Sequence, residues 1–498
     1  MRASPQQQAI IDWALTGTGS LIIQARAGTG KTTTLIKMVK AITEARRGTM
    51  FLGAYNKSIA TELQKRLAEE EVSTFDADAS TLHAAGFRIW RRGYPRVQVD
   101  EKKVPKLVFE LTNGNRRMQG YSSEIAQAVS LAKQTAHKDI LWLAILEHFG
   151  LDILDEDLEE FLDLCASVYT TSKMQDPVLI DFDDMISAAL DQPPGRQYDW
   201  VLLDEAQDTN PARRELAKKL LRPGGRFIAV GDDRQAIYGF TGADATAMQI
   251  IREDFQATTL PLTVSYRCPQ IIIQEAQRYV PDIETAESAP VGALHRYRLV
   301  DKIKEEGDFS IAMFRQEDVI LCRLTRPILK LAYAFIRRKI PCRVEGRDIG
   351  KSLQKLATRW KVDNLAALLM RLELFREREE EKLKRKKQEE KLARMYDQVD
   401  SLISLIEVLM DEGEMELSSL TSLIEKMFSD SAVPGGLLTL STIHKAKGRE
   451  WDRVFILDRY MPSPYARREW QAAQEENLAY VAVTRARKTL IYLDDSPY

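Results

Sequence analysis

Three consecutive aliphatic residues, Leu21-Ile22-Ile23, run straight into Gln24-Ala25-Arg26-Ala27-Gly28-Thr29-Gly30-Lys31-Thr32-Thr33. The order is that of a buried strand, a glycine-rich turn and a helix start, and it commits this part of the chain to a sheet whose strand ends face a ligand. Gly28 and Gly30 let backbone N–H groups close around a β-phosphate, Lys31 reaches the β/γ oxygens, and the Thr32 hydroxyl suits Mg²⁺. The stretch reads as the phosphate-binding loop of a nucleotide triphosphatase, with Ala25 where the general pattern has glycine.

The flanking pattern extends the sheet. Ser4 and Pro5 read as the N-cap and first position of a helix that carries Gln6, Gln7 and Gln8, whose side chains no packing argument explains. After the loop come a helix to about Lys40, a strand over Met50–Tyr55 ending at Asn56-Lys57, an amphipathic helix through Leu67, and a third unit with Ala79-Ser80-Thr81-Leu82-His83. Alternation of strand and helix means a parallel sheet. From about Phe87 to Tyr169 the pattern turns helical and polar, as an inserted subdomain. The sheet then resumes at Tyr198–Leu203, which delivers Asp204-Glu205-Ala206-Gln207-Asp208. Pro223-Gly224-Gly225 is expected to stop the following helix before a strand over Arg226–Val230, which delivers Gly231-Asp232-Asp233-Arg234-Gln235. A second α/β unit is expected from about Thr263, with strands at Val319–Cys322 and Val454–Leu457.

Composition excludes several classes. Over 498 residues the formal net charge is -2, so any nucleic-acid binding must come from local surfaces. Cys165, Cys268, Cys322 and Cys342 show no Cys-x-x-Cys spacing, which fits reduced thiols and a cytoplasmic setting. No apolar run resembles a signal peptide or reaches the ~18 residues of a membrane span. Between Arg376 and Lys391 only Leu383 and Gln388 are uncharged. Leu365, Leu368, Leu372 and Phe375 precede this stretch, and Leu392, Met395, Val399, Leu402, Ile406 and Leu409 follow it at helical spacing. An exposed helix or helical hairpin laced with ion pairs is the simpler reading, and direct nucleic-acid contact the alternative.

Asp204-Glu205 after a buried strand suits a nucleotide triphosphatase, with Asp204 on Mg²⁺ and Glu205 taking a proton from the attacking water. Together with the phosphate loop and Gly231-Asp232-Asp233-Arg234-Gln235-Ala236-Ile237-Tyr238-Gly239-Phe240, this segment resembles the UvrD/Rep type of superfamily 1 helicase. The likeness continues in that family's order. Gln6-Gln7-Gln8 is similar to its adenine-reading motif, with Gln7 as the register. Tyr55-Asn56-Lys57 and Thr81-Leu82-His83 resemble its first DNA-contacting motifs, and Asp181-Phe182-Asp183-Asp184 resembles its return from the first insertion. Val264-Ser265-Tyr266-Arg267, Thr442–Glu450 and Leu478–Ala486 resemble its fourth, fifth and sixth motifs.

The resemblance implies nucleotide contacts from Gln7, Ala27, Gly28, Thr29, Gly30, Lys31, Thr32, Thr33, Tyr266 and Glu450, with Tyr266 stacking on adenine and Glu450 accepting from the ribose. It implies catalytic roles for Lys31, Glu205, Gln235, Arg267 and Arg485, and Mg²⁺ at Thr32 and Asp204. DNA contacts are implied at Tyr55, Asn56, His83, Phe240, Thr442 and His444; for Phe240 a core role is the alternative, and base stacking on such rings tolerates any sequence. Thr33 and Thr241 stand where the family often has arginine.

The implied fold is α/β, with two RecA-like P-loop motor domains, parallel sheets flanked by helices. Residues 1–86 and 172–262 form the first, interrupted by a helical insertion over 87–171. Residues 263–350 and 431–498 form the second, interrupted by a reduced charged insertion over 351–430. The implied activity is ATP-driven 3′-to-5′ movement on single-stranded DNA with duplex unwinding, using ATP and Mg²⁺ and engaging junctions of single- and double-stranded DNA. A translocase that displaces proteins with little unwinding and a DNA-binding scaffold with a vestigial ATPase are the alternatives. No fused nuclease is expected, because the sixth motif lies close to Tyr498.

Overall fold

Ser4 starts the first helix, Pro5–Thr16, through a capping box: Gln7 N–H donates to the Ser4 hydroxyl, and Ser4 N–H donates to Gln7 Oε1. The protein is described from a computed structural model over residues 3–136, 139–149, 151, 153–237, 246–300, 306–338, 340–385, 389–428, 437–457 and 469–494. The chain divides into two units, Met1–Thr263 and Val264–Tyr498.

In the first unit the strands are β1 (Leu21–Ala25), β2 (Met50–Ala54), β3 (Ala77–Thr81), β4 (Gln98–Val99), β5 (Leu179–Ile180), β6 (Tyr198–Leu203), β7 (Leu221–Gly231) and β8 (Thr258–Leu262). Six of them form one parallel sheet in the order β3-β2-β6-β7-β1-β8. Alternate residues serve opposite faces, as the two-residue period of a strand requires. Leu21, Ile23, Leu202 and Ile228 join one core with Leu35 and Val39 of the helix Lys31–Glu44, while Ile22, Val201, Leu203 and Phe227 join the other with Leu82, Leu216 and Ile251. Because the sheet is covered on both faces, its interior strands β1, β2 and β6 read as largely apolar runs, while the edge strands β3 and β8 do not.

β7 differs from expectation. It begins at Leu221, directly after the helix Pro211–Leu220, so the Pro-Gly-Gly segment lies within the strand. Tyr198 pairs with Leu221 but Trp200 pairs with Arg226, and Gly224, at φ 77°, takes up the extra residues in a bulge.

The insertion comprises the helices Lys103–Leu111, Arg116–Gln119, Ser122–Gln134, Trp142–Phe149 and Asp155–Gln175, with a hydrophobic cluster of its own around Val108, Ile125, Val129, Phe161 and Cys165. Its join to the sheet domain is ionic as well as covalent. The Lys103 ammonium sits 2.6 Å from Asp176 and 2.7 Å from Asp184, and the Lys133 ammonium 2.6 Å from Asp181 and 2.7 Å from Asp184, all of these side chains buried or nearly so.

In the second unit, β9 (Val264–Ser265) pairs with β10 (Glu284–Thr285). The larger sheet contains β11 (Ala293–Val300), β12 (Asp308–Ser310), β13 (Val319–Cys322), β14 (Cys342–Val344), β15 (Leu438–Thr442), β16 (Trp451–Leu457) and β17 (Ala486–Asp494), all parallel, in the order β12-β11-β17-β16-β13-β15-β14. The charged stretch forms the helices Leu365–Arg385 and Glu389–Asp411. Arg376 reaches across from the first to Asp400 of the second at 3.3 Å, and Lys384 pairs with Glu380 one turn away at 2.5 Å.

Candidate active site

The phosphate-loop residues occupy the turn between β1 and the helix that starts at Lys31. Gly28 and Gly30 take φ values of 74° and 79°, left-handed conformations that glycine adopts without penalty. Thr29 is buried, its hydroxyl donating to Arg26 C=O at 2.9 Å, and Ala27 is buried beside it. Thr32 is half-buried and Thr33 exposed. Gln7 lies against this turn: its amide donates to Thr29 C=O at 3.5 Å, and a Cβ on Gly30 would come within 3.0 Å of it.

The strand order then explains the chemistry. β6, β7 and β1 are neighbours, so the segments after β6 and β7 converge on the loop after β1. The Lys31 ammonium lies 3.1 Å from Glu205 Oε2. Burial opposes the charge on Lys31, but the carboxylates of Glu205, Asp232 and Asp204 outweigh it and raise the pKa. Asp204, only 5 % exposed, is pushed up to about 7 by burial and then by Glu205, against the pull of Lys31. Asp232 is likewise raised by burial, against Lys31 and Arg26. Gln235 donates to Asp232 Oδ2 at 2.6 Å. Lys31, Asp204, Glu205 and Gln235 thus share one cluster.

Glu205 sits at φ 50° and ψ 43°, a left-handed conformation that costs a non-glycine residue of order 1–3 kcal/mol when the surroundings impose it. Gln207 is part of what imposes it. Its amide donates to Glu205 Oε2 at 2.6 Å, its Oε1 accepts from Asp232 N–H at 3.0 Å, and its side chain is buried. Gln207 was not among the expected site residues, although its place two residues after Glu205 was a usable signal. Arg26 was also missed. Its guanidinium donates to Asp233 at 2.6 Å and Asp232 at 3.3 Å, tying the phosphate loop to the end of β7.

Asp204 and the Thr32 hydroxyl fit a hard cation that keeps much of its own water: among the described residues no group of three or more His, Cys, Asp or Glu side chains could cage a metal by itself. Such a sparse oxygen donor set suits Mg²⁺ completed by water and phosphate.

Of the expected DNA-contacting residues, Tyr55, Asn56 and His83 follow the neighbouring strands β2 and β3. Tyr55 follows β2 and His83 follows β3, and both line one cavity with Asp204, Glu205 and Arg213. Burial, then Arg213, depresses the His83 pKa to about 4, so the ring is neutral near pH 7. Asn56 caps the helix Lys57–Glu69 by accepting from Ile59 N–H at 2.9 Å, a structural use of the side chain. Phe240 and Thr241 lie outside the described residues.

In the second unit, Tyr266 is 53 % exposed, leaving its ring open for stacking. Arg267 Nε pairs with Glu450 at 2.5 Å, and its Nη1 donates to Thr484 C=O at 3.5 Å. Arg485 is buried, donating to Val481 C=O at 2.9 Å and Arg449 C=O at 3.1 Å. The structure therefore gathers Arg267, Glu450 and Arg485 around Thr484. Thr442 ends β15, and His444 stands two residues on, its pKa pushed down to about 4 by burial and by Arg323, against Glu475. Arg323 and Glu475 are themselves joined at 2.7 Å.

The family described as UvrD/REP helicase N-terminal domain matches residues 3–256, and the UvrD-like helicase C-terminal domain matches residues 349–493. Among curated relatives, the F-box DNA helicase protein 1 of Schizosaccharomyces pombe is 24% identical, over 98% of this chain and 57% of its own. DNA helicase IV of Escherichia coli is 24% identical over 59% of this chain and 50% of its own. The ATP-dependent DNA helicase PcrA of Staphylococcus aureus is 25% identical over 66% of this chain and 49% of its own. The chain spans about half the length of these relatives.

Proposed function

The chain belongs to the UvrD/REP helicase family, and from that premise we propose that it is an ATP-dependent DNA helicase that moves 3′ to 5′ along single-stranded DNA and unwinds the duplex ahead of it. The observation that carries the reading is the convergence of Lys31, Asp204, Glu205 and Gln235 after three adjacent parallel strands, with Lys31 3.1 Å from Glu205.

In this reading the loop N–H groups and Lys31 bind the ATP phosphates, and Gln7 and Tyr266 hold the adenine. Glu205 takes the proton from the attacking water at its carboxylate, which Gln207 and Lys31 hold in place through Oε2. Thr32 and Asp204 would hold Mg²⁺, which would supply electrostatic stabilisation of the phosphate charge. Arg267 and Arg485 stabilise charge on the transferring phosphoryl group, and Gln235 links its presence to the strand. Tyr55, Asn56, His83, Phe240, Thr442 and His444 engage single-stranded DNA, and ss/ds junctions are the working substrate.

Two measurements test this. Lys31→Ala should abolish nucleotide use, and Glu205→Gln should leave ATP binding intact while lowering DNA-stimulated phosphate release by 100-fold or more, an effect of about 3 kcal/mol on the barrier. Near wild-type turnover in both variants removes the assignment. Unwinding of 3′-tailed but not 5′-tailed duplexes is the expected polarity, and the reverse result overturns it.

A further inference from the structure

Arg213 is a half-buried cation with no described carboxylate in ion-pairing distance. Arg26, Arg88 and Arg222 of the same sheet domain are matched by carboxylates, by Asp232 and Asp233, by Asp78 and by Asp199, whereas Arg226, like Arg213, donates to backbone carbonyls and lies over aromatic rings. Arg213 instead donates to Asp208 C=O at 3.2 Å, and its guanidinium lies 5.4 Å from the centre of the Tyr55 ring. A cation that has given up part of its hydration without a carboxylate partner is poised for an anionic ligand, because Coulomb attraction grows as water is excluded.

Topology says where that ligand runs. Tyr55 follows β2, His83 follows β3, and Arg213 lies in the first turn of the helix after β6, and β3, β2 and β6 are consecutive in the sheet. The three side chains line one cavity with Gly53, Ala54 and Leu203, and with the carboxylates of Asp204 and Glu205 at the end nearer the phosphate loop. A Cβ on Gly53 would come within 2.5 Å of Leu203 Cδ2, so the backbone here lies close against that side chain. His83 is neutral in this setting, so Arg213 is the one full positive charge among the residues lining the cavity.

We infer that Arg213 grips one backbone phosphate of the single strand, and that Tyr55 serves it as a platform holding the guanidinium in position, with His83 on the far side of the phosphate's path. This rests on the reading of the chain as a motor on single-stranded DNA. It assigns Tyr55 to positioning Arg213, in place of stacking a base. A phosphate grip of this kind carries no sequence information, as a motor on arbitrary strands requires.

The test is the salt dependence of binding to an oligo(dT) strand, measured by fluorescence anisotropy for the full chain. Each single-strand phosphate contact contributes about 0.7 to the slope of log affinity against log salt. Arg213→Ala and the size-preserving Arg213→Gln should both weaken binding about tenfold or more and reduce the slope by about 0.7. Arg213→Lys should restore the slope, and Tyr55→Phe should retain it while Tyr55→Leu loses part of it. A fall in affinity with unchanged slope in the Gln variant means a merely structural Arg213 and overturns the inference alone. A larger loss of affinity for a fluorescent ATP analogue than for the strand places the phosphate on the nucleotide and also overturns it. Failure of the wild-type chain to bind the strand at any salt overturns both the inference and the functional reading beneath it.

Discussion

Replacing Lys103 with methionine should be among the costliest single substitutions in the first unit. Two buried ammonium groups, Lys103 and Lys133, serve Asp176, Asp181 and Asp184 at 2.6–2.7 Å, and Asp183 lies alongside, held by Ser130 at 2.5 Å and Gln134 at 3.1 Å. Carboxylates already outnumber cations here. Methionine fills the volume of the lysine stem but leaves Asp176 without its ammonium partner and Asp184 with one cation in place of two. Removing one partner from a buried ionic network costs about 3–5 kcal/mol, chiefly the penalty of the stranded charge.

The pH dependence distinguishes this mechanism from a packing defect. Asp176 already has its pKa raised to about 6, by burial first and then by Asp184, with Lys103 pulling it down. Loss of Lys103 lifts it further above the unfolded value. A carboxylate raised on folding is protonated more readily in the folded state, so its penalty is full above the folded pKa and fades as pH falls through it towards the unfolded value. The stability deficit of Lys103→Met should therefore be largest near pH 8 and shrink by about 1–2 kcal/mol towards pH 5.5, given about 1.4 kcal/mol per unit for one proton. Adding Asp176→Asn should recover much of the deficit at pH 8. Hydrogen exchange of the helices Lys103–Leu111 and Ser122–Gln134 measures this locally. A deficit below 1 kcal/mol, or one that grows on acidification, refutes the stranded-charge argument.

Gln207→Leu should lower kcat for phosphate release by about 10- to 100-fold with a much smaller change in ATP affinity, because it frees the Glu205 carboxylate held at 2.6 Å without touching the phosphate loop; equal losses in both constants exclude a positioning role. Arg267→Ala should lower kcat by about 10³-fold, whereas Glu450→Ala, which removes only its 2.5 Å ion-pair partner, should act mainly on nucleotide affinity; steady-state kinetics of the two variants separates the roles.

The sheet domains were legible because both-face burial writes itself as apolar runs: Leu21-Ile22-Ile23 and Tyr198–Leu203 each announce a strand and the functional turn after it. What stayed hidden depends on partners far along the chain. No packing argument explained Gln6 in sequence, yet its side chain exchanges hydrogen bonds with Thr263 at 2.8 and 3.0 Å, 257 residues away. Arg26 faces Asp232 and Asp233 only because β1 and β7 are neighbours, which no local pattern states. β11, with its run of half-exposed and exposed positions, lacks the apolar continuity of the interior strands, and no expectation covered it. The Lys103 and Lys133 network was invisible for the same reason as Arg26: isolated lysines on polar helices read as solvated until their aspartates are placed.

The charged hairpin shows the limit of composition as a guide to independence. Its sequence reads as a solvated appendage, but Leu365, Leu368 and Leu372 of the first helix and Val399, Leu402 and Ile406 of the second belong to one continuous core with Leu331 and Phe335 of the helix Thr325–Arg337 and with Ile320 and Leu440 of the sheet. Charge covers the outer surface and apolar residues at threes and fours form the inner one, so the segment is part of the unit's interior. Leu402, fully buried at that junction, should cost about 2–5 kcal/mol on truncation to alanine. The loss should appear as faster hydrogen exchange in β13 and β15 as well as in the hairpin itself, since the cavity opens into a shared core. Exchange confined to the hairpin would mean that it folds as a separate body. Leu383, Leu392 and Met395, farther out along the two helices, belong to the same core, so motion of the hairpin about its base carries the cost of exposing those side chains as well.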